Sequence, residues 1–132
     1  MDIVIDTSAL VAVLLSEPER PGLVRATKGA ALIAPASVHW EVGNALSAAL
    51  KRHRVTTAQA QRALAVYERI PVRFVDVELG LALEIAAREA IYAYDAYLLA
   101  CALIHRAPLL TLDARLARTA AAAAITLVEV DA

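Results

Sequence analysis

Short, mainly apolar runs recur along the chain at 3–5, 31–33, 72–75, 109–112 and 125–128, rather than a sustained alternation between apolar and polar positions. A strand with one wet face alternates, whereas a strand covered on both faces reads as a continuous apolar run. The five segments are therefore predicted strands of a sheet covered on both sides. Helical periodicity fills the intervals, over 8–15, 18–28, 37–53, 57–69, 77–89, 94–105 and 113–122. Pro18, Pro21, Pro35, Pro71 and Pro108 fall at the proposed boundaries, where a residue without an N–H costs least. Strands alternating with helices through short connections predict the α/β class: a three-layer α/β/α sandwich with a mostly parallel central sheet.

The chain has 132 residues, which predicts one domain over 1–132, large enough to bury roughly two-thirds of its unfolded surface. Apolar residues make up 60% of it, but charged residues interrupt every long run, so no membrane span is expected. The opening Met1-Asp2-Ile3-Val4 lacks the basic stretch of a cleaved signal and leads directly into strand pattern. The single cysteine, Cys101, pairs with nothing inside the chain and suits a cytoplasmic protein. Thirteen basic against fourteen acidic residues leave a net charge of −1, so charge becomes informative only when mapped. If several acids are neutralised by one bound cation, the surface that remains is basic, with clusters at Lys51, Arg52 and Arg54 and at Arg106, Arg115 and Arg118.

Four acids stand where chemistry is expected. Asp6 follows Ile3-Val4-Ile5, and Asp113 follows Leu109-Leu110-Thr111-Leu112; the ligand crevice of a parallel sheet lies at such strand ends. Glu41 shares a helical stripe with Val38, Ala45 and Ala48, and Asp95 opens the face continued by Leu98, Leu99 and Ala102. Each acid alone has a simpler reading. Asp6 and Asp113 suit helix N-caps, Asp95 suits the positive end of a helix dipole, and Glu41 suits a buried ion pair. Together, four acids on one sheet edge suit a hard divalent cation, and an all-oxygen donor set selects Mg²⁺ or Mn²⁺ over zinc. The reaction predicted from such a site is hydrolysis of a phosphodiester. A phosphotransfer domain using Asp6 as nucleophile would need a second acid two residues on, where Ser8 stands.

The segments Ile5-Asp6-Thr7-Ser8-Ala9-Leu10, Trp40-Glu41-Val42-Gly43-Asn44-Ala45-Leu46, Tyr94-Asp95-Ala96-Tyr97-Leu98-Leu99-Ala100 and Thr111-Leu112-Asp113-Ala114-Arg115-Leu116 resemble, in order and spacing, the four acidic motifs of the PIN-domain ribonucleases. Within that family the chain is most similar to the VapC toxins of toxin–antitoxin pairs, over nearly its full length. The resemblance implies a PIN-like fold, Asp6, Glu41, Asp95 and Asp113 as catalytic, metal-binding residues, and Mg²⁺ or Mn²⁺ as cofactor. It also implies an RNA substrate cut to leave a 5′-phosphate and a 3′-hydroxyl, a cognate antitoxin as partner, and a homodimer. The alternative is a PIN-fold RNA-binding or scaffold module without turnover.

Hydroxyls beside the acids, at Thr7, Ser8 and Thr111, and the amide of Asn44 are candidates for orienting a ligand or a bound water. Trp40 is expected in the core or an interface, and Tyr92, Tyr94 and Tyr97 are expected to be partly buried beneath a loop. Leu64, Val66, Tyr67, Leu79, Leu81, Leu83 and Ile85 exceed what single helical stripes hide, which points to a symmetric partner. Leu10, Val13, Leu14 and Leu23 are the expected seat of the antitoxin.

Overall fold

The computed structural model describes residues 1–131. Its strands are β1 (Asp2–Ile5), β2 (Ala31–Pro35), β3 (Val72–Val75) and β4 (Leu109–Leu110), and its helices are α1 (Thr7–Leu14), α2 (Arg20–Thr27), α3 (Ser37–Lys51), α4 (Thr57–Arg69), α5 (Leu79–Glu89), α6 (Ala93–His105) and α7 (Ala114–Ala122). The sheet is parallel throughout, in the order β3-β2-β1-β4. Val4 pairs with Ile33 on one side and Leu109 on the other, so β1 is central, and Ile3, Val4 and Ile5 are buried. That burial is why the run does not alternate.

The chain lays down β1, β2 and β3 in one direction, then returns through α5 and α6 to add β4 on the far side of β1. Strand order therefore reverses between β1 and β4, and an open parallel sheet has its crevice at the carboxyl ends of the strands at such a point. Right-handed crossovers put helices of the outward and return paths on opposite faces. In keeping with that, α1 packs on α2, α3 and α4, while α5 packs on α6 and α6 lies across β1, β2 and β4. Six residues of α6, including Leu98, Leu99 and Cys101, are buried, as expected of a helix that is apolar nearly all round.

Local signals fix several boundaries. Thr56 and Gln59 form a reciprocal capping box at the start of α4, with bonds of 2.8 and 3.1 Å, satisfying two otherwise orphaned donors. Gly29 takes φ = 77° in the turn before β2, a conformation that needs no Cβ. Gly22 is required for a different reason: a Cβ there would stand 2.3 Å from the carbonyl oxygen of Asp131.

Two predicted strands are shorter in the structure. The run 109–112 ladders only over Leu109 and Leu110, because its partner β1 ends at Ile5 and Asp6 turns into α1. Beyond that point the amides bond to side chains instead, Leu112 N–H to Ser8 Oγ at 2.9 Å and Asp113 N–H to Thr111 Oγ1 at 3.0 Å. The run 125–128 contributes a single bridge, Leu109 to Leu127, since a two-residue strand offers little edge to extend. β3 also departs from expectation: at the sheet edge, Arg73 and Phe74 are exposed. Among the described residues, no helix is long and apolar enough to cross a membrane.

Candidate active site

Asp6 ends β1 and caps α1, and its side chain is the most heavily bonded of the four acids. It accepts from Ala9 N–H at 3.0 Å, from Ser8 Oγ at 2.8 and 2.9 Å, and from Thr111 Oγ1. Three donors from two chain segments pin the carboxylate across the β1–β4 switch point. Burial nevertheless raises its pKa, against the lowering influence of those bonds, and the charge of Asp113 raises it further. Asp113 is an exposed N-cap, accepting from Arg115 and Leu116 N–H at 2.9 and 3.2 Å. Both acids are thus helix caps within electrostatic reach of one another, so capping does not exclude a shared site.

Glu41 projects from α3 and Asp95 from the first turn of α6, both partly buried. Burial, then the charges of Asp95 and Asp6, push the Glu41 carboxyl up to about 7. Asp95 is raised by burial and by Asp113, and lowered by Arg115. The repulsions close a ring, Asp6 to Asp113, Asp113 to Asp95, Asp95 to Glu41 and Glu41 to Asp6. The fold therefore brings the four sequence-identified acids from β1, α3, α6 and the β4–α7 turn into mutual electrostatic reach.

Three buried side-chain polar atoms have no hydrogen-bond partner among the described residues: Thr7 Oγ1, Ser37 Oγ and Glu41 Oε2. Thr7 and Ser37 open the helices that follow β1 and β2, and Glu41 lies one turn into α3. A buried, unpartnered polar atom is costly, and a carboxylate oxygen in that state suits a cation. The donors are oxygens only, the set that hard divalent ions take. No three His, Cys, Asp or Glu side chains among the described residues stand close enough to close around one ion. Like-charged carboxylates with nothing between them repel, so an open ring and an oxygen donor set are compatible observations.

Of the candidate supporting residues, Ser8 and Thr111 touch Asp6 directly, and Thr7 carries one of the orphaned hydroxyls. Asn44 is exposed, with no side-chain hydrogen bond among the described residues. Ser37 was not singled out by sequence, and Arg115 was noted only within a basic cluster. Ser37 lies four residues before Glu41, the spacing of neighbours on one helix face, and that spacing was the available signal. Arg115 bears on Asp95 from a different helix, which only folding reveals.

The aromatic and apolar expectations need correction. Trp40 is 75% exposed, packed edge-on against His39, whose ring also meets Phe74 and bonds Tyr67 Oη through Nδ1 at 2.9 Å. Its place is the surface, not the core. Tyr92 and Tyr94 are 91% and 60% exposed, because α6 turns inward only from Ala96. Leu10, Leu14 and Leu23 are buried, so an occupant of that region meets the rim of the cavity that Leu10 and Leu23 line, at Val13 and at exposed Val24. Tyr67 and Ile85 are buried, while Leu64, Val66, Leu79 and Leu83 remain exposed.

The fold has solved counterparts. A Pyrobaculum aerophilum protein, PAE2754, superposes with a TM-score of 0.69 at 22% identity, covering 90% of this chain and 79% of that one. VapBC2 from Rickettsia felis, determined bound to a DNA fragment from its promoter, gives 0.70 at 15% identity over 99% of this chain and 100% of the other. Mycobacterium tuberculosis VapC20, described as a sarcin-ricin loop cleaving toxin, gives 0.64 at 16% identity over 88% and 93%. At these identities the likeness is one of fold. No curated protein sequence matches the chain significantly. The PIN domain family model matches residues 3–122, and with the parallel sheet, the switch-point acids and these counterparts in view, the chain belongs to the PIN domain family.

Proposed function

We propose that this protein is a metal-dependent endoribonuclease of the VapC kind, a toxin acting in the cytoplasm as a single PIN domain. The observation that carries the reading is the ring of four mutually repelling carboxylates at the sheet's switch point, with Glu41 Oε2 buried and unpartnered. Asp6, Glu41, Asp95 and Asp113 would hold Mg²⁺ or Mn²⁺. When bound, such an ion orients a phosphodiester and lowers the pKa of the attacking water.

The chain's own residues supply the rest. Ser8, Thr111 and the Ala9 amide fix Asp6 in one orientation, sparing it the entropy of being ordered in the reaction. Arg115, already felt by Asp95, is a cation beside the acids that suits an RNA phosphate. Water oxygen bonds to phosphorus as the P–O3′ bond breaks, so one strand end carries a 5′-phosphate and the other a 3′-hydroxyl. A cognate antitoxin is the natural partner, as the Rickettsia felis counterpart is a toxin–antitoxin assembly. It would seat apolar side chains along Val13 and Val24 and set a basic side chain against the ring.

Asp6→Asn tests the reading, since asparagine keeps the cap and loses the charge. Wild type in Mn²⁺ should cleave single-stranded RNA, and the variant should be slower by about a hundredfold or more. Expressed alone in cells, wild type should arrest growth and the variant should not. Equal rates would end the catalytic assignment, and no cleavage by either would favour the non-catalytic module.

A homodimer is supported by the exposed apolar side chains of Trp40, Phe74 and Leu83, which a partner would cover. Sedimentation of the free protein at micromolar concentration should give a dimer, and Trp40→Glu should give a monomer; a monomeric wild type would end that proposal.

A further inference from the structure

Beside the acid ring, at the carboxyl ends of β2 and β3, lies a cavity of about 220 Å³ that the proposed chemistry does not use. Its walls include Val75, Val77, Leu79 and the ring of Tyr97, and its polar groups include Ser37 and Asp76. Tyr97 meets Tyr94 edge to face at 5.8 Å, and Tyr94 is largely exposed, so aromatic surface runs from the cavity to the solvent. Ser37 Oγ has no partner and no bond holds its χ1, leaving the hydroxyl able to turn toward an occupant. Asp76 is exposed and takes part in no ion pair or side-chain hydrogen bond among the described residues.

We infer that this cavity is a base-binding subsite that selects guanine in the RNA. The inference rests on the nuclease reading for its substrate class, and on the cavity alone for its specificity. Ser37 is about one helical turn from Glu41, about 6 Å along α3, a separation that a nucleotide spans between phosphate and base. Apolar walls and an aromatic ring suit a π-face, and the volume admits one base. The free carboxylate then decides which base. Ionised aspartate only accepts, and guanine alone presents two adjacent donors, N1–H and N2–H, to two carboxylate oxygens. Adenine and cytosine set an acceptor beside their amino group, and uracil flanks its one N–H with two carbonyls, so a carboxylate meets lone pairs in each.

The probe is uncharged nucleoside titrated into metal-free, ¹⁵N-labelled protein and followed by amide chemical shifts. Guanosine should shift the amides of residues 37, 76, 77 and 97. Inosine, which lacks the N2 amino group, should bind about tenfold more weakly, and adenosine should leave these amides unmoved. Asp76→Asn should abolish guanosine's advantage over adenosine, and Tyr97→Leu should weaken guanosine and inosine alike; Asp76 is at the surface, so its variant keeps the fold. In Mn²⁺, wild type should cut RNA next to guanosine and Asp76→Asn should lose that preference. Adenosine shifting the same amides as strongly as guanosine, or no shift by guanosine at millimolar concentration, overturns the subsite. Guanosine binding without cleavage of any RNA would overturn the nuclease reading and leave the subsite standing.

Discussion

The β1–β4 side of the acid ring and the β2–α3 side treat the same chemical group in opposite ways. Asp6, between β1 and β4, accepts from a backbone amide and two hydroxyls, and the hydroxyl of Ser8 in turn accepts from Leu112 N–H. Glu41, on α3 after β2, leaves Oε2 buried and unpartnered, and Ser37 one turn earlier does the same with Oγ. Hydrogen bonds to an ionised carboxylate offset its desolvation; without them the group retreats to its protonated form. One side of the site is thus built to hold a geometry, and the other keeps unmet electrostatic demand of the kind a cation would satisfy. The comparison teaches that a strained acid gains meaning from a satisfied one beside it, because a ligand needs both a fixed anchor and a reason to bind.

The largest effect expected from this contrast is on stability in divalent metal. An ion that binds only the native state stabilises it by about 2.7 kcal/mol at a hundred times its Kd. Mn²⁺ should therefore raise the melting temperature of wild type by roughly 10 °C for a domain of this size. Glu41→Gln should lose most of that rise, having given up the charge with no local partner. A wild-type melting curve unmoved by millimolar Mn²⁺ would mean the unmet demand on α3 is not a cation's.

Next in size is the pH dependence of the metal-free protein. The carboxyl of Glu41 is raised from the ordinary 4.5 to about 7, so between those values the native chain binds a proton that the unfolded chain has released. Stability then falls as pH rises through that window, and the loss is complete above about 7. For a half-buried group, with solvent screening allowed for, it is on the order of 1 to 2 kcal/mol. Glu41→Gln should remove the fall, melting several degrees higher than wild type at pH 8 and within a degree or so of it at pH 4. Parallel melting curves for the two proteins across this range would show that Glu41 carries no such strain.

The satisfied side should respond in the contrary sense. Thr111→Val keeps the shape and removes the bond into Asp6, at a cost of about 1 kcal/mol, and Asp6 should hold its proton to higher pH, since Thr111 lowers its pKa. Ser37→Ala removes an orphaned hydroxyl and should change metal-free stability by only a few tenths of a kcal/mol, toward the stable side. Thermal melts distinguish the pair: a larger loss from Ser37→Ala than from Thr111→Val would reverse the assignment of satisfied and unsatisfied sides.

Much of this was legible in the chain. Apolar runs at 3–5 and 31–33 became the inner strands, since continuous burial writes itself as a continuous run. The helices shifted mainly at their ends, because periodicity marks the body of a helix and caps mark its limits. The four acids were singled out from their positions at strand ends and on inward faces, and the fold brings them within electrostatic reach of one another. Strand length was not legible at 109–112, where the partner's early turn at Asp6, rather than the run itself, ended the ladder. Nor was exposure at Trp40, Tyr92 and Tyr94, as an aromatic side chain reads alike in sequence whether a neighbour covers it or not.

What the sequence by itself determined was the class of elements and the identity of the acids, since both depend on local pattern: periodicity, capping and the break from apolar run to carboxylate. What tertiary structure alone decided was the division of labour among those acids. Thr111 stands 105 residues from Asp6, and Arg115 lies on a different helix from Asp95; no local rule relates either pair. Whether a carboxylate is satisfied depends on donors brought by other segments and on the water removed around it. Both are consequences of strand order, set when β4 returned to the far side of β1.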